Sequence, residues 1–228
     1  MLNNTHPILC LVTDRRRLCS GCDADASARC LIAQIRSAVE AAIDLVQIRE
    51  RDMEAARLAD LVSDMVAIAR GSATRIVVND RLDVAVACGA HGVHLRADSM
   101  PASAVRSIAP RGFLVGRSVH GADDAAHAAA DVDYLIAGTV FASASKPGAA
   151  RLLGDEGLAG VVRAAAAPVL AIGGVTIERL PRVAAAGAAG IAGIDLFLSD
   201  AAPARCRVAP LHAMAAAARA AFDRLSRV

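Results

Sequence analysis

Polar side chains recur at every second position in one short stretch of this 228-residue sequence, Gln47-Ile-Arg49-Glu-Arg51. Alternate residues of an extended chain point to the same side, so Gln47, Arg49 and Arg51 are predicted to act together. Two neighbouring guanidinium groups can clamp an anion. In the alternative interpretation, the arginines lie at a solvated strand end and pair with Glu50 and Asp52. Because Gln47 shares their side, the spacing favours the anion site.

A hydroxyl and an imidazole are spaced in the same way in Gly116-Arg-Ser118-Val-His120. Ser118 and His120 are therefore predicted to face one way, which indicates chemistry better than either residue alone. No third group can be identified to complete a catalytic triad, so a serine hydrolase is weakly supported. His94 stands alone on an apolar run, where a hydrogen-bonded structural histidine is more common than a catalyst.

Asn79 and Asp80 follow another apolar run, which is rich in β-branched residues. Asp80 can hold a divalent cation, and Asn79 can contact a phosphate or a base edge. Equally, an Asn-Asp pair is typical of a turn that caps the following helix.

Small residues surround two further candidates for phosphate binding. Lys146 lies in Ser143-Ala-Ser145-Lys146-Pro-Gly, a composition that suits a mobile phosphate-binding lid. The alternative is an exposed lysine on a flexible loop. Gly173 and Gly174 end an apolar run and give the backbone room to approach a ligand closely.

These residues must be positioned by an alternation of short apolar runs, which predict strands, and longer Ala-rich stretches, which predict helices. The predicted strands are Ile8–Val12, Leu45–Ile48, Arg75–Val78, Gly92–Leu95, Leu114–Gly116, Tyr134–Ala137, Val169–Ile172 and Gly190–Ile194. The predicted helices are Arg29–Ile43, Met53–Ala69, Leu82–Cys88, Ala102–Ile108, Asp123–Ala130, Glu156–Ala165, Ile177–Ala186 and Ala209–Leu225. Two long loops, Arg15–Ala28 and Phe141–Asp155, remain between these elements.

Eight strand–helix units with short connections predict parallel strands and right-handed crossovers. In a chain of this length, they are expected to close into a single (β/α)₈ TIM barrel, with residues 1–228 forming one domain. The polar candidates then follow strand C-termini, the face on which such barrels place their active sites. Gly173-Gly174, with Thr176 as a helix cap, falls where these barrels bind phosphate.

The overall composition excludes several classes of protein. A net charge of +2 is too small to indicate a partner such as nucleic acid or a membrane surface. No segment has the pattern of a signal peptide or an apolar run long enough to span a bilayer. We therefore expect a cytoplasmic enzyme that acts on small molecules, and the sequence leaves its oligomeric state open, including a homo-oligomer.

The six cysteines, at positions 10, 19, 22, 30, 88 and 206, lack the density of a disulfide scaffold. Cys19-Ser-Gly-Cys22, with Cys10 and Cys30 nearby, has a spacing that zinc sites use. However, only one such pair is present, and Cys10 is expected to be a buried strand residue. Reduced thiols in a loop are therefore the expected state.

Taken in order, the motifs of the chain resemble those of one family over about Ile8 to Ile194. They are Leu11-Val-Thr-Asp14, Gln47-Ile-Arg49-Glu-Arg51, Val78-Asn79-Asp80-Arg81, Gly92-Val-His94-Leu95, Gly116-Arg-Ser118-Val-His120, Asp133-Tyr134, Gly138-Thr-Val-Phe-Ala-Ser-Ala-Ser-Lys146 and Ala171-Ile-Gly173-Gly174-Val-Thr176. The chain resembles the thiamine phosphate synthase family, which includes the thiazole tautomerase TenI.

The resemblance implies a reaction in which hydroxymethylpyrimidine diphosphate loses pyrophosphate and is captured by the nitrogen of a thiazole phosphate. It also implies a role for each matching residue. Those that would bind the pyrimidine diphosphate are Gln47, Arg49, Arg51, in place of the family's usual lysine, and Asn79. Those that would grip the leaving pyrophosphate are Ser118 and Lys146. Those that would contact the thiazole phosphate are Ser143 and Ser145, in place of two threonines, and Gly174. Asp80 would bind Mg²⁺.

Two departures from the family pattern bear on these roles. Aligned on Pro101, the second aspartate that binds Mg²⁺ in the family is replaced by Ser99, with Asp98 one position early. A shift of one residue points a side chain elsewhere, which puts the Mg²⁺ site in doubt. Asp195 stands where the family tends to have a serine near the thiazole phosphate, and its charge would repel a phosphate unless it faces away.

The sequence therefore leaves three functions open, of which the synthase is preferred. The stretches Ile-Arg-Glu-Arg and Gly-Arg-Ser-Val-His look more like the tautomerase, in which the histidine matching His120 is the acid/base. Retention of Asp80 favours the synthase. A regulatory barrel that binds a thiamine precursor without catalysis is a remote third reading, because its polar residues would be expected to be lost.

Overall fold

A computed structural model describes residues 7–128, 131–142, 152–199 and 205–223 of the chain. The strands are β1 (Ile8–Val12), β2 (Leu45–Ile48), β3 (Arg75–Asn79), β4 (Gly92–Leu95), β5 (Leu114–Val119), β6 (Tyr134–Ala137), β7 (Val169–Ala171) and β8 (Gly190–Gly193). The α-helices are α1 (Arg15–Leu18), α2 (Ala24–Glu40), α3 (Ala55–Ala69), α4 (Leu82–Ala87), α5 (Ala102–Ile108), α6 (Ala122–Ala128), α7 (Gly154–Ala164), α8 (Leu180–Ala185) and α9 (His212–Asp223).

The eight strands form a closed parallel barrel in chain order, which confirms the predicted fold. Each strand pairs with the next one along the chain, and β8 returns to pair with β1. Because all the strands are parallel, their carboxyl ends meet at one face of the barrel. The polar residues that follow the strands are thereby brought together there.

Two apolar cores lie on the two sides of the strands. Ile8, Cys10 and Val12 point into the barrel, where they pack with inward residues of the other strands, such as Tyr134. Leu9 and Leu11, the alternate residues of β1, pack outwards against the helices. The strands read as continuous apolar runs because both of their faces are buried.

Two glycines give the barrel the space that its geometry requires. A Cβ atom on Gly116 would lie 2.1 Å from Cζ of Tyr134, so this glycine makes room for the one tyrosine of the chain inside the barrel. A Cβ atom on Gly190 would lie 2.0 Å from the carbonyl oxygen of Ile8, at the seam where β8 meets β1.

The predicted loop Arg15–Ala28 is wrong over most of its length, since it contains α1 and the start of α2. Asp14 and Asp23 act as N-caps: their side chains accept hydrogen bonds from the backbone N–H groups of Arg17 and Ala26. Aspartate is a strong helix-starting residue in this position.

The seventh predicted helix, Ile177–Ala186, is divided in the structure. A 3₁₀ turn at Ile177–Arg179 precedes α8, and Pro181 lies in the first turn of α8, where its missing N–H costs no hydrogen bond. The prediction that Thr176 caps this helix is not met by a side-chain hydrogen bond to the backbone. At the end of β3, the residue that caps α4 is Arg81 rather than Asn79 or Asp80.

The expectation of reduced thiols at Cys19 and Cys22 is wrong in this structure, because the two residues form a disulfide. A second disulfide joins Cys30 to Cys206. Cys10 is buried in β1, as expected, and its burial raises the pKa of the thiol. Within the described ranges, no helix is long and apolar enough to cross a membrane.

Candidate active site

A cavity of about 270 Å³ opens at the carboxyl ends of the strands. The residues predicted from sequence that line it are Gln47, Arg49, Arg51, Asn79, His94, Ser118 and His120. The polar residues of its wall that were not singled out as site residues are Asp14, Arg17, Arg96 and Thr139. One compartment therefore collects polar side chains from the ends of β1 to β6, and Ile172 and Ile194 line it after β7 and β8.

Gln47, Arg49 and Arg51 lie together in the wall, as their alternation predicted. The alternative, in which the arginines pair with Glu50 and Asp52, is not what the structure contains. Among the described residues, neither Arg49 nor Arg51 forms an ion pair. Burial, with Arg51 nearby, lowers the pKa of Arg49, but a guanidinium remains protonated in proteins. The wall therefore carries two cations that form no ion pair in the described part of the chain, although the charges of Asp14 and Glu50 are near enough to act on Arg49.

The two carboxylates beside these arginines are held by Arg15. Its Nη1 atom lies 3.0 Å from Oε2 of Glu50, and its Nη2 atom lies 2.6 Å from Oδ2 of Asp52. Thr13 Oγ1 donates a further hydrogen bond of 2.7 Å to Glu50. Burial raises the pKa of Glu50, whereas the hydrogen bond from Arg15 lowers the pKa of Asp52 to about 2. Because these carboxylates are engaged elsewhere, Arg49 and Arg51 are left for a ligand.

The amide of Gln47 adds a polar group at depth. Its side chain is buried, and Nε2 has no hydrogen-bond partner in the described structure. A buried donor without a partner costs free energy, on the order of 1–3 kcal/mol. A ligand that accepts a hydrogen bond would recover that cost.

Hydrogen bonds connect three residues on the floor of the cavity. His94 Nε2 lies 2.9 Å from Ser118 Oγ, and His94 Nδ1 lies 3.3 Å from the hydroxyl of Tyr134. Burial, aided by the charge of Arg117, lowers the pKa of His94 to about 3. His94 is thus a neutral residue that positions Ser118, in line with the structural interpretation of this histidine.

His120 lies at the rim, immediately after β5. Its Nδ1 atom lies 2.5 Å from the carbonyl oxygen of Gly138, and its backbone N–H donates to Asp124. A ring that donates from Nδ1 keeps the lone pair of Nε2 for another proton. Ser118 and His120 both line the cavity, which confirms the same-side prediction.

Asp80 lies apart from this wall and has a left-handed backbone, with φ of 59°. Ser99 Oγ donates a hydrogen bond to its carboxylate, and Arg96 Nη1 lies 3.6 Å from its Oδ2 atom. Arg117 holds the loop of Ser99 by donating to the carbonyl oxygens of Ala97 and Ser99. Position 99, rather than 98, therefore faces Asp80.

Asp98 pairs instead with Arg96, so the shifted carboxylate does not reach Asp80. In the part of the chain that the structure describes, no group of three or more His, Cys, Asp or Glu residues is arranged to hold a metal ion. With one carboxylate that already has a guanidinium beside it, the residues present do not form a Mg²⁺ site on their own.

A second hollow of about 250 Å³ lies between the loops that follow β7 and β8. Gly174 and Gly193 line it, together with Thr176, Arg179 and Asp195. Both Gly173 and Gly174 have positive φ, and a Cβ atom on Gly174 would lie 2.4 Å from the carbonyl oxygen of Ala142. Gly174 is therefore required by the close approach of two backbones at this hollow, and Gly173 by its left-handed backbone beside Thr139.

Three predicted site residues, Ser143, Ser145 and Lys146, lie outside the described residues. Arg17 and Arg96 were missed as site residues. The signal for Arg17 was its position one helical turn after Asp14 at the end of β1, and for Arg96 its place two residues after His94.

A closed (β/α)₈ barrel with cationic and polar side chains around a cavity at the carboxyl ends of its strands defines the class of TIM-barrel proteins. Within that class, residues 9–197 match the family described as thiamine monophosphate synthase, and the chain belongs to this family.

Named relatives agree with this assignment. A putative thiamine-phosphate synthase of Geobacter sulfurreducens is 36% identical over 84% of this chain and 87% of the relative. A thiamine-phosphate synthase of Methanoregula boonei is 41% identical over 72% of this chain and 77% of the relative. A solved structure, the thiamine phosphate pyrophosphorylase from Pyrococcus furiosus, is 27% identical, covers 97% of this chain and 98% of its own, and superposes with a TM-score of 0.76.

Proposed function

We propose that this protein is a thiamine phosphate synthase, which joins hydroxymethylpyrimidine diphosphate to thiazole phosphate and releases pyrophosphate. The names of its relatives support this reaction. The observation that carries the proposal is the pair of arginines, Arg49 and Arg51, that have no ion-pair partner among the described residues and share a wall with the unsatisfied amide of Gln47.

The pyrimidine diphosphate matches the order of groups along this wall. Gln47 lies deepest and can donate to a ring nitrogen of the pyrimidine through Nε2. Arg49 and Arg51 follow at two-residue steps towards the rim, where they can bind the diphosphate in the bidentate manner of guanidinium groups. Asn79, at the end of β3, can add a hydrogen bond from its amide.

The reaction needs stabilised charge more than it needs a base. The bond between the pyrimidine methylene carbon and the diphosphate oxygen breaks with its electron pair on the oxygen, and the thiazole nitrogen then supplies an electron pair to the carbon. Fixed cations at the leaving oxygens lower the barrier, since negative charge develops there. Arg49 and Arg51 would provide those cations, and the hydroxyl of Ser118 can donate to the leaving group.

The neutral floor suits a cation-like intermediate. His94 stays unprotonated because its burial lowers its pKa to about 3, so it adds no positive charge beneath the pyrimidine. Its hydrogen bond holds the Ser118 side chain in one orientation. The hydroxyl is therefore already positioned when the diphosphate departs.

The thiazole phosphate would occupy the hollow after β7 and β8. The backbone at Gly174 and Gly193 can approach phosphate oxygens closely because neither residue has a side chain. Asp195 would repel the phosphate, but its carboxylate is paired with Arg17 at 2.5 Å. Ser143, Ser145 and Lys146 are proposed to complete this side of the site, as the resemblance implies.

No step of this mechanism depends on Mg²⁺. Asp80 and Ser99 can contribute at most a partial set of oxygen ligands, and the rest would have to come from the diphosphate itself. We propose that the cation binds this protein weakly alone and better in the presence of pyrimidine diphosphate.

The test is to incubate the purified protein with both substrates, with and without Mg²⁺, and to follow thiamine phosphate and pyrophosphate together. Formation of both products in equal amounts is expected. Binding of both substrates without turnover would favour the non-catalytic barrel. In a second incubation with a thiazole carboxylate phosphate alone, conversion by a protein that gave no coupling in the first would favour the tautomerase.

The tautomerase is a second candidate because of one observation, the placement of His120 at the rim with Nδ1 held by the carbonyl oxygen of Gly138. A histidine held in one tautomer can take up a proton and return it from Nε2. Moving a proton on a thiazole requires such a group, whereas the coupling reaction does not.

A further inference from the structure

Four of the six cysteines meet at one place beside the barrel mouth. Cys19 is joined to Cys22, and Cys30 is joined to Cys206, with Cα–Cα distances of 5.7 and 6.1 Å. The two disulfides touch, since Sγ of Cys30 lies 3.5 Å from Sγ of Cys19. At this distance, the sulfur atoms of the two disulfides are in contact, so exchange between them needs no large movement of the backbone.

The cluster connects segments that lie far apart in the sequence. Cys19 follows α1 directly, Cys30 lies in α2, and Cys206 lies in the segment after β8. Near the cluster, the backbone N–H of Arg207 donates a 2.8 Å hydrogen bond to the carbonyl oxygen of Leu18. The bond between Cys30 and Cys206 is therefore the covalent link between the first helices and the last part of the barrel.

The four cysteine residues differ in their exposure to solvent. Cys19 and Cys30 are buried, at 3% and 9% exposure, whereas Cys22 and Cys206 are half-buried, and Cys22 follows the exposed residues Ser20 and Gly21. A thiolate from solution can thus reach Cys22 and Cys206 more readily than Cys19 and Cys30, and only attack at Cys22 sets free the Cys19 thiolate beside Cys30.

We propose that this cluster is a thiol–disulfide relay, in which a dithiol reductant attacks the accessible Cys22 and the exchange passes through Cys19 to release Cys206. A thiolate of the dithiol attacks Sγ of Cys22, which forms a mixed disulfide and breaks the bond to Cys19. The Cys19 thiolate then attacks Sγ of Cys30, which forms a bond between Cys19 and Cys30 and breaks the bond to Cys206.

The exchange balances. The second thiol of the reductant attacks the reductant's first sulfur, which is bonded to Cys22 in the mixed disulfide. This step releases the Cys22 thiol and leaves the reductant as a cyclic disulfide. The dithiol gives up two electrons and two protons, and the protons end on Cys22 and Cys206. The protein begins with two disulfides and ends with one, between Cys19 and Cys30.

After the exchange, the disulfide between α2 and the segment after β8 is broken. The new bond between Cys19 and Cys30 joins the end of α1 to α2. The cluster adjoins the mouth, since Cys19 lies two residues after Arg17, the partner of Asp195. The relay would therefore couple the redox state of the surroundings to the rim of the cavity, whichever reaction the cavity catalyses.

The relay is tested on the full chain, with its disulfides completed by oxidised glutathione and the excess removed. One molar equivalent of dithiothreitol is added, thiols are blocked with N-ethylmaleimide, and peptides are mapped by mass spectrometry without further reduction. We expect Cys22 and Cys206 to be labelled in the same molecules, with a new Cys19–Cys30 peptide and loss of the Cys30–Cys206 peptide.

Two variants separate the relay from direct reduction of each bond. Cys19→Ser removes the relaying sulfur, so Cys206 should become labelled about tenfold more slowly or less. Cys88→Ser removes a thiol outside the cluster and should behave like the wild type. Labelling of Cys19 and Cys22 with the Cys30–Cys206 bond intact would overturn the proposal. The proposal would also be overturned if Cys19, Cys22, Cys30 and Cys206 were all labelled directly after the oxidation step, before any dithiothreitol is added. Protection of these four cysteines from labelling by a bound metal ion would overturn it as well.

Discussion

Arg17 and Asp195 form an ion pair across the mouth of the barrel, with Nη2 and Oδ1 2.5 Å apart. The pair joins the helix after β1 to the 3₁₀ turn after β8, at the edge of the hollow proposed for the thiazole phosphate. The pair explains how the Asp195 carboxylate can lie near a phosphate site, because the positive charge of Arg17 balances its negative charge. It also means that Arg17 is not fully available to the phosphate.

Replacing Asp195 should therefore release Arg17 towards the substrate. Asp195→Asn keeps the size of the side chain and removes its charge, and the KM for thiazole phosphate is expected to fall by about 2- to 5-fold, the scale of one exposed ion pair. Steady-state kinetics at varied thiazole phosphate measures this. Asp25→Asn, which removes an ion pair with Arg57 outside the mouth, is the matched control. A higher KM would mean that Asp195 itself contacts the substrate.

Arg49 is expected to hold the diphosphate. Arg49→Ala should weaken binding of pyrimidine diphosphate by about 2–4 kcal/mol, because the guanidinium is half-buried and forms no ion pair among the described residues. Arg49→Lys should recover only part of the loss, since an ammonium cannot bind in the bidentate manner. Calorimetry of both variants tests this, with Arg57→Ala as a control. Unchanged affinity in Arg49→Ala would remove Arg49 from the site.

Ser99→Asp should create a better Mg²⁺ site. The Ser99 hydroxyl already donates to Asp80, so a carboxylate at position 99 would lie against that of Asp80. Two carboxylates close together attract a hard divalent cation, and Mg²⁺ affinity is expected to rise by about tenfold or more. Isothermal titration with Mg²⁺ checks this, with Ser99→Asn as the uncharged counterpart. An equal gain in both variants would show that charge at position 99 is not responsible.

His120 separates the two candidate reactions. His120→Asn retains some hydrogen bonding but cannot exchange a proton, so any tautomerase activity should fall by roughly 10²–10⁴-fold. Coupling of the two phosphorylated substrates should fall much less, because that reaction depends on cations and positioning. Both assays are run on one preparation of the variant. Large and equal losses would indicate that His120 supports the structure of the rim instead.

His94 should affect stability in mild acid. Its pKa is lowered to about 3 in the folded protein from 6.5, so the unfolded chain binds more protons between these values. Above pH 6.5, burial of neutral His94 therefore does not lower the free energy of unfolding. As the pH falls from 6.5 towards 3, the free energy of unfolding decreases by up to about 1.4 kcal/mol per pH unit. His94→Gln should flatten this dependence in urea unfolding between pH 6 and 4.5, whereas the exposed His127→Gln should not. Parallel curves for His94→Gln and wild type would contradict a buried neutral His94.

The barrel and much of the wall could be predicted from sequence because they depend on local periodicity. Gln47, Arg49 and Arg51 lie side by side because a strand alternates its side chains, and this follows from spacing alone. The same rule placed Ser118 and His120 together. The parallel arrangement then brings these strand ends to one face without any knowledge of their contacts.

What could not be predicted depends on contacts between distant segments. Arg15 draws Glu50 and Asp52 away from the neighbouring arginines, and no pattern around position 50 indicates this. The pairing of Arg17 with Asp195 and the bond from Cys30 to Cys206 join opposite ends of the chain. Such partners become visible only once β8 has returned to β1.

The return of β8 to β1 also sets the order in which the protein can be made. β1 leaves the ribosome before β8, so the hydrogen-bonding edge of β1 that Gly190 covers stays unpaired while the strands between them are made. Until then, this edge can pair with other chains, which is a common route to aggregation. A side chain at position 190 would collide with Ile8 at the moment of closure. We therefore expect a substitution at Gly190 to act mainly by lowering the yield of newly synthesised protein. The unclosed barrel would stay exposed to chaperones and proteases for longer.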